Sequence, residues 1–188
     1  MGTVSDTLRE QLEERGAMLQ GHFQLSSGRH ADTYIEKFRI LQWPDVTGEL
    51  CAEMAERFAH AGANVVAGPT TGGVILAFEV ARRMGLKAII AERKDEGGGR
   101  EFRRGFELGP GDRVLVVDDV LTTGGSVRDT VDAVRERGAE LVGVAVMVSR
   151  GASPDFGAPL HACLSVEVAS WDPDSCDLCR QAVPLVIT

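Results

Sequence analysis

The stretch VLVVDDVLTTGGSV, residues 114–127, runs from apolar residues into two adjacent carboxylates and then into a loop of hydroxyls and glycines. Asp118 and Asp119 close a segment of the kind that lies inside a sheet, where neighbouring negative charges cost free energy unless something compensates them. Thr122, Thr123 and Ser126 offer hydroxyl donors, and Gly124 and Gly125 let the backbone come close to a ligand. The free N–H groups of a helix starting here would make an anion cradle. The positive end of that helix is worth about 0.3–1 kcal/mol to an exposed phosphate. Carboxylates only accept hydrogen bonds, so the acid pair suits sugar hydroxyls or the water shell of a magnesium ion. A ligand with a phosphate at one end and hydroxyls nearby satisfies both halves. Chemistry alone leaves a second reading open, in which the acids cap the next helix beside a tight turn.

Other nucleotide signatures are missing. There is no G-x-G-x-x-G, and neither GPTTGGV nor LTTGGSV supplies the Lys of the G-x-x-x-x-G-K-[ST] loop. Cys176 and Cys179 form one Cys-x-x-Cys pair, which is half a zinc site unless a symmetry mate adds two more ligands. The favoured reading is a pair of partly buried reduced thiols. With Cys51 and Cys163 they are too few and too unevenly spaced for a secreted disulfide framework.

The elements that must hold these residues show in the periodicity. A helix is expected over 5–20 from a Ser5 cap, with Leu8, Leu12 and Leu19 on one face. Pro44 opens a second helix that carries Val46, Leu50, Met54 and Phe58. Strands are expected at 64–68, 86–92, 113–119, 141–149 and 161–168, with helices at 74–85 and 125–137. Segment 93–111 is polar and rich in glycine. Apolar strands alternating with helices predict a doubly wound, mainly parallel α/β sheet. Ligands of such sheets bind beyond the C-terminal strand ends, where Asp118 and Asp119 fall.

At 188 residues the chain is expected to be one domain: helix and hood over about 1–43, core over about 44–170, and a tail over 171–188. A net charge of −8 argues against a broad nucleic-acid or anionic-membrane surface. It leaves room for a small basic pocket. The N-terminus has no apolar signal region, and no run of about 18 apolar residues occurs. The expectation is a soluble, cytoplasmic protein.

The ordered combination of buried strand, acid pair, hydroxyl-glycine loop and helix resembles the 5-phosphoribosyl-1-pyrophosphate (PRPP) motif of type I phosphoribosyltransferases. GHFQLSSGRHADTYIEKFRIL (21–41), ERK (92–94), RRGF (103–106), SRG (149–151) and the tail DPDSCDLCRQAVPL narrow the resemblance to the orotate phosphoribosyltransferases. It runs over about residues 12–185. It implies transfer of a 5-phosphoribosyl group from PRPP to orotate with Mg²⁺ as cofactor, the ion bound mainly through PRPP and water rather than by protein ligands. It also implies a homodimer, while the charge and the lack of a long apolar run leave no nucleic-acid or membrane partner expected.

By this resemblance Asp118 and Asp119 contact the ribose hydroxyls, while Val120, Leu121, Thr122, Thr123, Gly124, Gly125 and Ser126 wrap the 5-phosphate. Thr122 also reaches orotate, and Arg150 pairs with its carboxylate. Arg93 and Lys94 meet the pyrophosphate, with PTTGG (69–73) beneath it. Asp118, Asp119 and Lys94 are the expected catalytic residues, Lys94 as candidate general acid. Gly97, Gly98 and Gly99 make residues 95–104 a candidate lid.

The chain also departs from the family. The loop DEGGGREFRRG lacks the further Lys and His that many members carry. Arg100, Arg103 and Arg104 could balance pyrophosphate charge but cannot donate a proton near neutral pH. Ser26 stands where some members have a Lys beneath the base, and Gly72 replaces a Lys of the pyrophosphate loop. Two alternatives stay open: a transferase for a purine or other base, and a PRPP-binding regulator without turnover.

Overall fold

The computed structural model describes residues 4–25, 27–151 and 153–188, and side chains from Leu8 onward. Ser26 lies outside what is described, and Ser5, the expected cap, falls inside the first helix, which already starts at Val4. Helix α1 (Val4–Glu14) ends earlier than its apolar spacing predicts. Gly16 takes a left-handed φ of +61°, and the Ala17 N–H donates to Leu12 O at 2.7 Å, a C-terminal turn that stops the helix. Leu19 therefore belongs to strand β1 (Met18–Gln24), antiparallel to β2 (His30–Ile35). Leu8 and Leu12 are buried as expected.

A one-turn helix α2 (Phe38–Leu41) leads to α3 (Pro44–Arg57), which Pro44 opens at a first-turn position. Strand β3 (Val65–Pro69), helix α4 (Gly72–Met84), strand β4 (Lys87–Arg93), strand β5 (Arg100–Phe102) and strand β6 (Arg113–Leu121) follow. Helix α5 (Gly125–Glu136), strand β7 (Glu140–Ser149) and strand β8 (Leu160–Ser165) complete the core. The tail holds β9 (Ser170–Trp171), a 3-10 turn at Pro173–Ser175, a one-turn helix α6 (Asp177–Arg180) and β10 (Val186–Ile187).

Six strands form the core sheet in the order β5-β4-β3-β6-β7-β8, all parallel except β5. The expected doubly wound architecture is therefore the one seen. Alternate residues of the central strands feed two separate cores. Leu115, Val117, Ala145 and Met147 meet α1, α3 and α4 on one face. Val114, Val116, Val144 and Val146 meet α5 on the other. Such a sheet has both faces covered, which is why its strands read as continuous apolar runs.

A second, four-stranded sheet, β10-β1-β2-β9, joins the N-terminal hood to the tail. Its strands went unread in the sequence, because β9 and β10 are two residues long and β1 mixes exposed and buried positions.

Packing on the α3 side of β7 leaves no room at Gly143, where an added Cβ would lie 2.1 Å from the ring of Phe58. Gly143→Ala forces that buried ring to move and is expected to cost about 1–3 kcal/mol. The check is urea denaturation, where the midpoint should fall with an unchanged slope.

Candidate active site

Strand β6 carries Asp118 and Asp119 to the C-terminal edge of the sheet, where they are 5% and 4% exposed. Backbone and side chain share in holding them. Asp118 Oδ1 accepts the Asp119 N–H at 2.8 Å, and Asp119 Oδ1 accepts the Val120 N–H at 2.6 Å. The principal compensation comes from the hood: Lys37 Nζ lies 3.1 Å from Asp119 Oδ1 and 2.9 Å from Oδ2. Lys37, one of three lysines in the sequence, lies in the segment 21–41 that carried the resemblance but was not among the expected site residues.

Asp118 has no such partner. Burial above all, and then the charge of Asp119, push its carboxyl up to about 7, against smaller lowering effects of the Asp119 N–H, Lys37 and Ser126. The two neighbours thus differ: Asp119 is paired with Lys37, while Asp118 is poised to gain or lose a proton near neutral pH.

Gly72, at the start of α4, explains one departure from the family pattern. A Cβ there would sit 1.9 Å from Asp119 Oδ2, so the helix comes this close to the acid only because the residue has no side chain. The Thr70–Thr71 peptide just before it is cis.

Below the acids, β6 turns into α5 through Thr122, Thr123 and Gly124, which is left-handed with φ +83°. No side chain caps α5, so its first N–H groups keep the free donors that every helix start has. Together with the hydroxyls of Thr122, Thr123 and Ser126 they make the anion cradle expected from sequence.

Register then sets the far wall. Strands β6 and β7 pair Leu121 with Ser149, and the Arg150 N–H donates to Leu121 O at 2.9 Å, so Arg150 stands beside Thr122. Its Nη2 donates to Thr33 O at 3.2 Å, while its buried Nε has no protein partner.

Arg100, on β5, is 4% exposed. It donates to Thr70 Oγ1 (3.1 Å), Thr70 O (3.2 Å), Ala91 O (2.9 Å) and Ser126 Oγ (3.0 Å). Its Nε too is buried without a partner. Burial lowers the guanidinium pKa of both Arg100 and Arg150. Buried donors left unpaired at a cleft mark a place for an acceptor from outside.

These groups line one cleft of about 790 Å³ between the hood and the sheet edge. Asp118, Asp119, Val120, Thr122, Thr123, Ser126, Arg93 and Arg150 all face it. Lys37, Arg29, Tyr34 and Arg100 join them, the first three from the segment 21–41 that carried the resemblance without being singled out as site residues. Among the described residues, five cations (Arg29, Lys37, Arg93, Arg100 and Arg150) face two carboxylates. That local excess of positive charge, in a chain of net charge −8, favours an anionic ligand.

Two expected residues sit elsewhere. Leu121 is packed in the core, whereas Gly124 and Gly125 form the turn whose backbone opens α5. Lys94 departs most: its Nζ lies 3.3 Å from Glu136 Oε2 at the end of α5, turned from the cleft. The segment expected as a lid is also smaller than 95–104. Residues 100–102 form a strand paired with β4, which leaves the turn around Gly97, Gly98 and Gly99. Arg103 pairs with Asp95 and Glu101, and Arg104 with Glu92, all at the surface rather than in the cleft.

The phosphoribosyl transferase domain family model matches residues 39–173. The solved orotate phosphoribosyltransferase of Aeropyrum pernix has a TM-score of 0.72 at 30% identity, covering 84% of this chain and 93% of that one. That of Mycobacterium tuberculosis, solved in complex with PRPP, has 0.68 at 27%, covering 87% and 97%. Fold and family match thus define a phosphoribosyltransferase of type I. An orotate phosphoribosyltransferase of Pelotomaculum thermopropionicum is 47% identical over 175 residues, covering 93% of this chain and 91% of that protein. Another, of Caldanaerobacter subterraneus, is 43% identical over 178 residues, covering 94% and 93%. The chain belongs to the orotate phosphoribosyltransferase family.

The raised Asp118 carboxyl yields a pH prediction. Its folded pKa lies above its unfolded value near 3.8, so its contribution to stability is full below that value and is lost as pH rises towards 7. Asp118→Asn removes this loss. The ligand-free variant should melt higher than wild type at pH 8, by about 2–4 °C for each kcal/mol in a chain of this size. The gain should shrink at pH 5, as calorimetric scans at the two pH values would show.

Proposed function

We infer that this chain transfers the 5-phosphoribosyl group of PRPP to a nitrogen of orotate, giving orotidine 5′-phosphate and pyrophosphate in pyrimidine synthesis. What carries the reading is the pairing of a phosphate cradle on α5 with the buried Asp118–Asp119 pair, in a cleft otherwise rich in cations.

In this reading the 5-phosphate lies on the N–H groups that open α5, with Thr122, Thr123 and Ser126 as further donors. Asp118 and Asp119 accept hydrogen bonds from the ribose hydroxyls, which favours the ionised form of Asp118. The free Nε of Arg150 joins a guanidinium fork that holds the orotate carboxylate, since a planar fork suits a planar acid. Arg93 and Arg100 face the pyrophosphate.

The donor set of the cleft fits Mg²⁺ only through water and ligand oxygens. Asp119 is already engaged by Lys37, and among the described residues the cleft holds no cluster of three metal-ligating side chains. Held by the diphosphate and by water on Asp118 and Asp119, Mg²⁺ would supply charge neutralisation for the departing pyrophosphate. The anomeric carbon becomes oxocarbenium-like as the leaving group departs. Catalysis is then mainly positioning and charge stabilisation, with no covalent nucleophile. Lys94 can serve as proton donor only if its pair with Glu136 opens.

The chain works as one domain, hood over core, and as a homodimer. Ile75 and Phe78, three residues apart on α4, are 40% and 66% exposed, an apolar pair that a second subunit can cover. Among the described residues no helix is long and apolar enough to cross a membrane, in keeping with a cytoplasmic enzyme.

Mixed with PRPP, Mg²⁺ and orotate, the protein should consume orotate, followed by its ultraviolet absorbance; no consumption would refute the assignment. Arg150→Ala should raise the KM for orotate about 10–100-fold, the loss of one charged hydrogen-bonded pair, and leave that for PRPP nearly unchanged. An equal rise in both would remove Arg150 from the base pocket. Lys94→Ala should lower kcat by about a hundredfold if Lys94 is the general acid. An unchanged kcat leaves the leaving-group charge to the arginines.

A further inference from the structure

Away from the cleft, the hood and the tail bring four metal-ligating side chains to one point. His22 on β1, His30 on β2, and Cys176 and Cys179 flanking the start of α6 have their ligand atoms all within 4.8 Å of one another. His22 Nε2 lies 3.0 Å from His30 Nδ1 and 3.4 Å from Cys176 Sγ. Cys179 Sγ lies 3.7 Å from His22 Nε2 and 3.3 Å from His30 Nδ1. With Zn–N of about 2.0–2.1 Å and Zn–S of about 2.3 Å, a tetrahedral ion has N–N edges of about 3.4 Å and N–S edges of about 3.6 Å. The observed separations approach those edges.

Three further observations favour a metal over a chance meeting. His22, His30 and Cys176 are 2%, 4% and 1% exposed, so the donors converge in a buried place. His22 Nδ1 lies 2.8 Å from Val183 O, a hydrogen bond that puts the proton on Nδ1 and leaves the Nε2 lone pair facing the cluster. A backbone carbonyl holding the outer nitrogen in this way is the usual support of a ligating histidine. The register shift in β1 between Gln20 and Phe23 is the third. It leaves both His22 and Phe23 buried and so turns His22 towards the tail. Both thiols are free, as the sequence reading expected. The two histidines were missed because they lie 154 and 149 residues from the cysteines they approach.

We propose that His22, His30, Cys176 and Cys179 form a structural zinc site that staples the C-terminal tail to the hood. Zn²⁺ displaces the two thiol protons, and the two thiolates cancel its charge, leaving a neutral centre suited to burial. Two cysteines with two histidines in a closed tetrahedron select zinc and leave no open position for catalysis. The staple braces the hood sheet, whose Arg29 and Tyr34 line the substrate cleft.

The test uses the full chain, kept reduced, stripped with a chelator and then given Zn²⁺ or Co²⁺ alone. The expected result is one zinc per chain retained through gel filtration. Cobalt should show thiolate-to-metal charge-transfer absorption and tetrahedral ligand-field bands. Cys179 is the exposed ligand, and Cys179→Ala should keep its circular dichroism while losing more zinc affinity than the roughly 10–100-fold that outer-shell changes cost. His161→Ala, at the separate Glu53–His161–Cys163 cluster, should keep the metal. Any of three results overturns the proposal: no zinc retained by the folded reduced chain, a cobalt spectrum without thiolate absorption, or metal loss in His161→Ala but not in Cys179→Ala. A Cys176–Cys179 disulfide in protein purified without added reductant would overturn it as well.

Discussion

Two carboxylates buried side by side at the end of a central strand set the terms for the rest of this molecule. A sheet interior cannot host two full negative charges without help. The chain solves this unequally. Asp119 receives an ammonium from the hood, and Asp118 retains its proton up to near neutrality. The hood is therefore more than a cover: its Lys37 is part of the electrostatic foundation of β6. A helix start with no side chain at Gly72 and a hood positioned to deliver Lys37 both follow from the need to house the pair.

The same economy shapes the cleft as a whole. The chain carries a net negative charge, which disfavours polyanions, while five of its cations gather in one concavity against two carboxylates. A small, highly charged anion is drawn in, and a long one finds no matching surface. Two guanidinium nitrogens, on Arg100 and Arg150, are buried with no protein acceptor. At a cleft, such donors are held ready for oxygens that arrive with a ligand.

Much of this could be read from the residues alone. The parallel core announced itself because its strands are covered on both faces and so read as apolar runs. The strand-acid-loop-helix order was legible because all its parts lie within fourteen consecutive residues, 114–127. What escaped were partnerships across long stretches of chain. Lys37 meets Asp119 over 82 residues, and His22 meets Cys176 over 154. No local pattern encodes such meetings. Leu19 misled for the opposite reason: it continues a helical spacing that Gly16 has already ended. Lys94 follows the family in sequence, yet its ammonium goes to Glu136, since an acid near enough to pair outweighs a motif's precedent.

Arg100 ties three strand-end segments together. From β5 it grips the Thr70 backbone and hydroxyl, the carbonyl of Ala91 and the hydroxyl of Ser126. The tip of the glycine hairpin, the bend before α4 and the mouth of α5 thus share one guanidinium as a common knot. A tug on any of them reaches the other two, and by thermodynamic reciprocity the influence runs equally in both directions. The mouth of α5, the bend before α4 and the hairpin are therefore joined through one side chain and not through three separate contacts.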